Sequence, residues 1–205
     1  VTPVRRPLVE VVVGRVAGGE REAARRLVLG LAARVAGVPV AGLRLERAAS
    51  GQPYLVGGEL RVSVSHARGV VAVAASRELA VGVDVETVRP LPVEALARRW
   101  FPPNEAAWTR RWGPDRQAQA FLWLWTQKEA LAKALGQGLG GGVGLLRPVE
   151  LPDGWPRRFP PLTATPGVDE LAVTAGAFND LMVAVAAAGR GAAGADVRVR
   201  HARAG

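Results

Sequence analysis

The chain has 205 residues, of which 49% are hydrophobic and 22% charged, with 25 Gly, 15 Pro, no Cys and a formal net charge of +9. That length allows one sizeable core or two lobes of about 100 residues each, and the composition fits a soluble globular protein broken by many turns. Without cysteine there is no disulfide framework, no thiolate metal site and no cysteine nucleophile.

No apolar run approaches the roughly 20 residues that span a bilayer, and the first residues carry no signature of a secretory signal. Cytoplasmic residence without a membrane partner is therefore the expectation. The positive charge favours anionic partners. No block of like charges, aromatic-interleaved basic motif or zinc-finger spacing supports nucleic acid, which leaves small phosphorylated ligands and acidic proteins.

Taken in order, residues 19–36 place Ala23, Leu27, Leu31 and Val35 at helical spacing, with Arg21, Arg25 and Arg26 among them. Those arginines are a solvated face or a phosphate grip. A turn cluster, Ser50-Gly51-Gln52-Pro53-Tyr54, leads to a strand over 60–64 that ends near Ser65 and His66. Arg68-Gly69 turns the chain into a second strand from Val70 to Ala74. Ser65 lacks a G-x-S-x-G elbow, which argues against a hydrolase triad. His66 is one of two histidines, and a lone histidine is more often structural than functional.

Residues 79–86 alternate as a strand and carry Asp84 and Glu86 two apart, so both carboxylates share the face opposite Val83 and Val85. Adjacent like charges repel. A hard cation such as Mg²⁺ resolves the repulsion, and so does an ordinary solvated strand face. A short helix precedes Trp100, and Asn104 is the expected cap of the next, with Glu105 in its first turn.

Over Phe121–Leu139, Trp125, Glu129 and Lys133 fall at i, i+4 and i+8 on one helix face, beside Lys128, and Gly136 and Gly138 end the helix. Among 27 basic residues Lys128 and Lys133 are the two lysines. A compact ammonium differs chemically from the planar arginine fork. Glu129 and Lys133 are thus a surface pair at i,i+4 or part of a site. Beyond Leu139 the glycines predict a mobile loop; strands are expected over 171–175 and 181–187, joined by Phe178-Asn179-Asp180, and a basic tail over 189–205.

The order of these motifs resembles the 4′-phosphopantetheinyl transferases of the surfactin-synthetase-activating type. The resemblance is carried by Ser50 to Tyr54, Ser63-Val64-Ser65-His66, Gly82-Val83-Asp84-Val85-Glu86, Phe101 to Glu105, and Trp125 to Ala130 with Lys133 and Gly136 to Leu139. It covers roughly residues 20 to 140. It implies a Mg²⁺-dependent enzyme that moves the 4′-phosphopantetheine arm of coenzyme A to a serine of an apo acyl or peptidyl carrier protein and releases adenosine 3′,5′-bisphosphate.

By the same resemblance Asp84, Glu86 and Glu129 hold the metal, while Lys128 and Lys133 contact the phosphates. Glu129 is the first choice of base, with Glu105 second. Ser65 and His66 match the positions that hold the 3′-phosphate, aided by Arg26, with Arg15 and Arg21 as weaker candidates. Gln52 and Pro53 match the loop beside the adenine, and Trp125 is a packing residue.

The family often has Asn where Ser63 stands and Ser where Ala67 stands. The implied fold is α+β, with two similar lobes over 1–79 and 80–205 related by a pseudo-twofold axis and the active site in the cleft between them. A monomer is expected. The alternative is a non-catalytic basic protein that binds a nucleotide or nucleic acid.

Overall fold

The computed structural model describes residues 6–137, 147–155 and 159–202. The glycine-rich stretch expected to form a loop falls at 138–146, outside the described residues.

Strand β1 (Leu8–Arg15) leads into helix α1 (Glu20–Ala36), which ends where Gly37 takes a left-handed φ of 73° and donates its N–H to Ala33 O. A short hairpin follows, β2 (Leu45–Arg47) and β3 (Pro53–Leu55), then β4 (Arg61–Ala67), β5 (Val70–Ser76) and β6 (Ala80–Thr87). Helices α2 (Val93–Trp100), α3 (Pro103–Arg110) and α4 (Pro114–Ala134) come next, then β7 (Thr163–Thr165), β8 (Val168–Phe178), β9 (Leu181–Ala188) and β10 (Asp196–Ala202). Among the described residues no helix is long and apolar enough to cross a membrane.

The strands form two four-stranded sheets, β10-β1-β5-β4 and β6-β9-β8-β7, beside the two-stranded β2-β3. Both repeat one connection. A strand, a helix and then a hairpin place the last strand in the middle: β1, α1, β4, β5 gives the order β1-β5-β4, and β6, α4, β8, β9 gives β6-β9-β8.

Alternation along the strands assigns the layers. Val9, Val11 and Val13 of β1 share one core with Val81, Val83 and Val85 of β6 and Val183 and Val185 of β9. The opposite faces are covered separately, Val12, Val71 and Val73 by α1 and Met182, Ala184 and Ala186 by α4. The two sheets are thus sandwiched between helices.

Three local expectations need correction. The basic tail is ordered structure over 196–202: β10 pairs in parallel with β1, from Leu8 opposite Asp196 to Gly14 opposite Ala202. Asn104 is not the cap of α3, because Pro102 precedes a helix that already starts at Pro103, and a proline in the first turn needs no N–H partner. The second hairpin is longer than its apolar center suggests, because β8 runs from Val168 to Phe178, and Asn179 supplies the positive φ of 53° in its turn.

Candidate active site

Four elements converge where β4 meets β6. Ser63 and Ser65, two apart on β4, turn the same way, and their hydroxyls accept the N–H groups of Val83 at 3.1 Å and Val85 at 3.4 Å. These side chains thereby stand in for part of a backbone ladder between the two sheets. Ser65 Oγ also donates to Asp84 Oδ1 at 2.6 Å.

Helix α4 crosses this strand at Gly82, where a Cβ would lie 1.9 Å from the Ala130 carbonyl oxygen. Only glycine permits that approach, and it brings the next turns of α4 beside Asp84. Lys133 Nζ donates to Asp84 Oδ1 at 2.7 Å and to Val83 O at 3.0 Å. Asp84 Oδ2 and Glu129 Oε1 are both buried without a hydrogen-bond partner. Burial, then the charge of Asp84, pushes the Glu129 carboxyl up to about 7; Lys133 opposes the rise and Glu86 adds to it. Glu86 itself accepts from Arg89 Nη1 at 2.7 Å.

Glu129, more than forty residues from Asp84 and Glu86 in sequence, is therefore close enough to feel both carboxylates. Their oxygens are the hard donors that Mg²⁺ takes, and two of those oxygens are buried and unpaired, so the chemistry of the set fits a divalent cation. Among the described residues, however, no three His, Cys, Asp or Glu side chains are placed to hold a metal ion. Lys133 and Arg89 instead engage Asp84 and Glu86.

A pocket of about 240 Å³ opens beside this cluster, between the β2–β3 turn and the end of α4; Gln52, Pro53, Ser63, Glu129 and Lys133 line it. Gln52 Nε2 reaches Lys133 O at 3.5 Å. Gly136 ends α4 with φ 69°, and a Cβ there would lie 3.1 Å from Gln52 Oε1.

Other expected site residues lie elsewhere. Lys128, fully buried, pairs with the equally buried Glu105 at 2.8 Å and donates to Arg147 O at 2.7 Å. Burial depresses the lysine and raises the glutamate, and each partner opposes the other's shift. Lys128 also lies over the Phe101 ring and Glu105 accepts from the Val149 N–H, and among the described residues neither side chain bonds to the Asp84 cluster.

His66 is exposed on the face of β4 opposite Ser65, near enough to lower the Glu20 carboxyl, which chiefly answers the Gly69 N–H. Arg26 is exposed and pairs with Glu22 at 3.7 Å. Arg15 pairs with Asp180, and Arg21 is exposed. The structure thus gathers Asp84, Glu86, Glu129, Lys133, Ser65, Gln52 and Pro53, and leaves His66, Arg26, Lys128 and Glu105 apart from them. Trp125 stacks on Phe121 and meets Trp100 edge-on, as a packing residue does.

Sequence reasoning missed roles for Ser63, Arg89 and Arg47. Ser63 was legible, since it shares a strand face with Ser65. Arg89, three residues after Glu86, and Arg47, which lines the pocket and donates to Gly51 O at 2.8 Å, carried no sequence signal.

Residues 80–170 match the model of the 4′-phosphopantetheinyl transferase superfamily. The chain is 30% identical over 127 residues to a 4′-phosphopantetheinyl transferase of Bacillus subtilis, covering 58% of this chain and 55% of that protein. It is 36% identical over 104 residues to the 4′-phosphopantetheinyl transferase AcpT of Salmonella typhi, covering 45% and 54%. A Synechocystis sp. protein with a provisional name of the same kind is 35% identical over 104 residues, covering 49% and 42%. The chain spans about half the length of the curated relatives it matches. The matched segment, under half of the chain, begins at β6 and contains Asp84, Glu86, Glu129 and Lys133.

Proposed function

We propose that this protein is a Mg²⁺-dependent 4′-phosphopantetheinyl transferase of the surfactin-synthetase-activating type. It takes coenzyme A and an apo acyl or peptidyl carrier protein, and it releases adenosine 3′,5′-bisphosphate. The observation that carries this reading is the pair of buried, unpartnered carboxylate oxygens on Asp84 and Glu129, set beside Lys133, which with Glu129 lines the pocket between the β2–β3 turn and the end of α4.

Asp84, Glu86 and Glu129 would hold Mg²⁺, which supplies Lewis-acid neutralisation of the pyrophosphate. Lys133 carries the ammonium for the phosphate oxygens as the phosphoanhydride breaks and charge builds on the leaving bisphosphate. Glu129, directly or through a water, is the proposed acceptor of the proton of the carrier serine hydroxyl. That serine oxygen forms the new P–O bond to the pantetheine-bearing phosphate.

Gln52 and Pro53, at the pocket wall, suit the adenine side; Ser65 and His66 remain the proposed 3′-phosphate side, with Arg26 as a further cation. Glu105 and Lys128 are better explained as a buried structural pair than as base and phosphate contact. The repeated strand, helix and hairpin connection supports two lobes about a pseudo-twofold axis, divided near Leu79, with the cleft between them as the active site. Cytoplasmic residence and a monomer belong to the same reading.

Incubation with coenzyme A, Mg²⁺ and a panel of apo carrier proteins is expected to add the phosphopantetheine mass to at least one carrier, and Asp84→Ala to abolish the gain. No mass gain on any carrier overturns the proposal. A non-catalytic nucleotide- or nucleic-acid-binding protein would instead bind its ligand independently of chelator, and no feature of the pocket favours it.

A further inference from the structure

The charges around Asp84 nearly balance within the chain itself. Asp84 is neutralised by Lys133 at 2.7 Å and Glu86 by Arg89 at 2.7 Å. Neither cation is locked in place by burial, since the Lys133 side chain is 28% exposed and that of Arg89 50% exposed. Arg89 lies two residues past the end of β6 and is outside every motif that suggested the site.

Resting on the transferase reading, we infer that Lys133 and Arg89 are resident counter-cations of the Asp84–Glu86 face, and that a divalent ion binds there only as these two side chains transfer to the phosphates of the arriving ligand. The physical reason is competition. A carboxylate already paired with a cation offers a second cation less attraction, and a nearby positive charge repels it. A pyrophosphate supplies alternative anions for both side chains, so ligand and metal each make room for the other. Such coupling is reciprocal by linkage. The Arg89 guanidinium adds a planar fork suited to phosphate oxygens.

The test uses Mn²⁺, whose free concentration is read by electron paramagnetic resonance, titrated into the full chain with and without coenzyme A. The wild type is expected to bind Mn²⁺ weakly alone and more tightly with coenzyme A. Arg89→Gln and Lys133→Met are each expected to bind Mn²⁺ alone on the order of tenfold more tightly than wild type and to lose part of the gain on adding coenzyme A. Asp84→Asn is expected to lose this binding in both states. Arg89 is half exposed, so its substitution tests the idea on a folded protein even if a Lys133 variant proves unstable. Equal Mn²⁺ affinity of wild type and Arg89→Gln without coenzyme A overturns the inference. Failure of coenzyme A to bind by equilibrium dialysis overturns the transferase reading, while the Mn²⁺ affinities measured without ligand still decide whether the cations compete.

Discussion

Glu129 and Lys128 are consecutive on α4, yet their surroundings demand opposite things of them. Glu129 is pushed up to about 7 chiefly by burial and by Asp84. An unfolded glutamate ionises near 4.3 or so, so the folded state keeps its proton longer. Below about 4 both states are protonated and the group contributes nothing. As pH rises through the window up to about 7 the folded state progressively loses stability. Glu129→Gln is therefore expected to melt together with wild type near pH 4 and on the order of a few degrees higher near pH 8. A melting difference that does not grow with pH would contradict the assignment.

Lys128 instead completes a dry ion pair, and Lys128→Met leaves Glu105 buried without its countercharge. That should cost about 3–5 kcal/mol in denaturant unfolding, most of it restored in Lys128→Met/Glu105→Leu. Recovery of transfer together with stability in the double variant identifies packing as the role of the pair; recovery of stability alone returns Lys128 to the phosphates or Glu105 to the proton transfer. The lysine rarity visible in the sequence marked two residues, and burial divides them.

At the scale of elements, the contact of α4 with β6 positions the chemistry, and Gly82 sets its distance. Gly82→Ala would place a methyl 1.9 Å from a helix carbonyl, a backbone obstacle that no side-chain rotation relieves. The variant is expected to lose more than about 3 kcal/mol of stability, with displacement of Glu129 and Lys133, both readable by thermal melting and by loss of transfer.

Period explains which elements were legible. Helices α1 and α4 and the β4–β5 hairpin follow from 3.6- and 2-residue patterns with turn residues between them. Strand β1 did not stand out because Val11, Val12 and Val13 are all buried, on two faces. Strand β10 alternates, but its partner β1 lies almost the whole chain away, and no local turn announces the pairing.

For the whole molecule, β10 links the end of the chain to its beginning. It lies at the edge of the first sheet, with Val197 and Val199 packed against the shared core. Ending the chain at Ala195 uncovers the β1 edge and is expected to cost roughly 2–3 kcal/mol, from the apolar area of two half-buried valines and the lost ladder. Scanning calorimetry would register this as a melting temperature lower by about 5–10 °C, and the bare edge should raise the tendency to aggregate. An unchanged melting temperature would show that β10 adds nothing to the sheet. The link also qualifies any two-lobe description, since residues assigned to 80–205 complete the sheet of 1–79.

The sequence by itself determined the two carboxylates on one face of β6, the helix that carries Glu129 and Lys133 a turn apart, and the motif order that suggested a transferase. These are local properties, set by side-chain period and turn chemistry within a few residues. Only the tertiary structure decided which charged groups meet. It put Lys133 on Asp84 and Lys128 on Glu105, set Arg89 against Glu86, turned Ser63 and Ser65 toward β6, and left His66 and Arg26 outside that cluster. Such meetings depend on the facing and approach of elements far apart in the chain, and the cost of burying charge then selects among the partners.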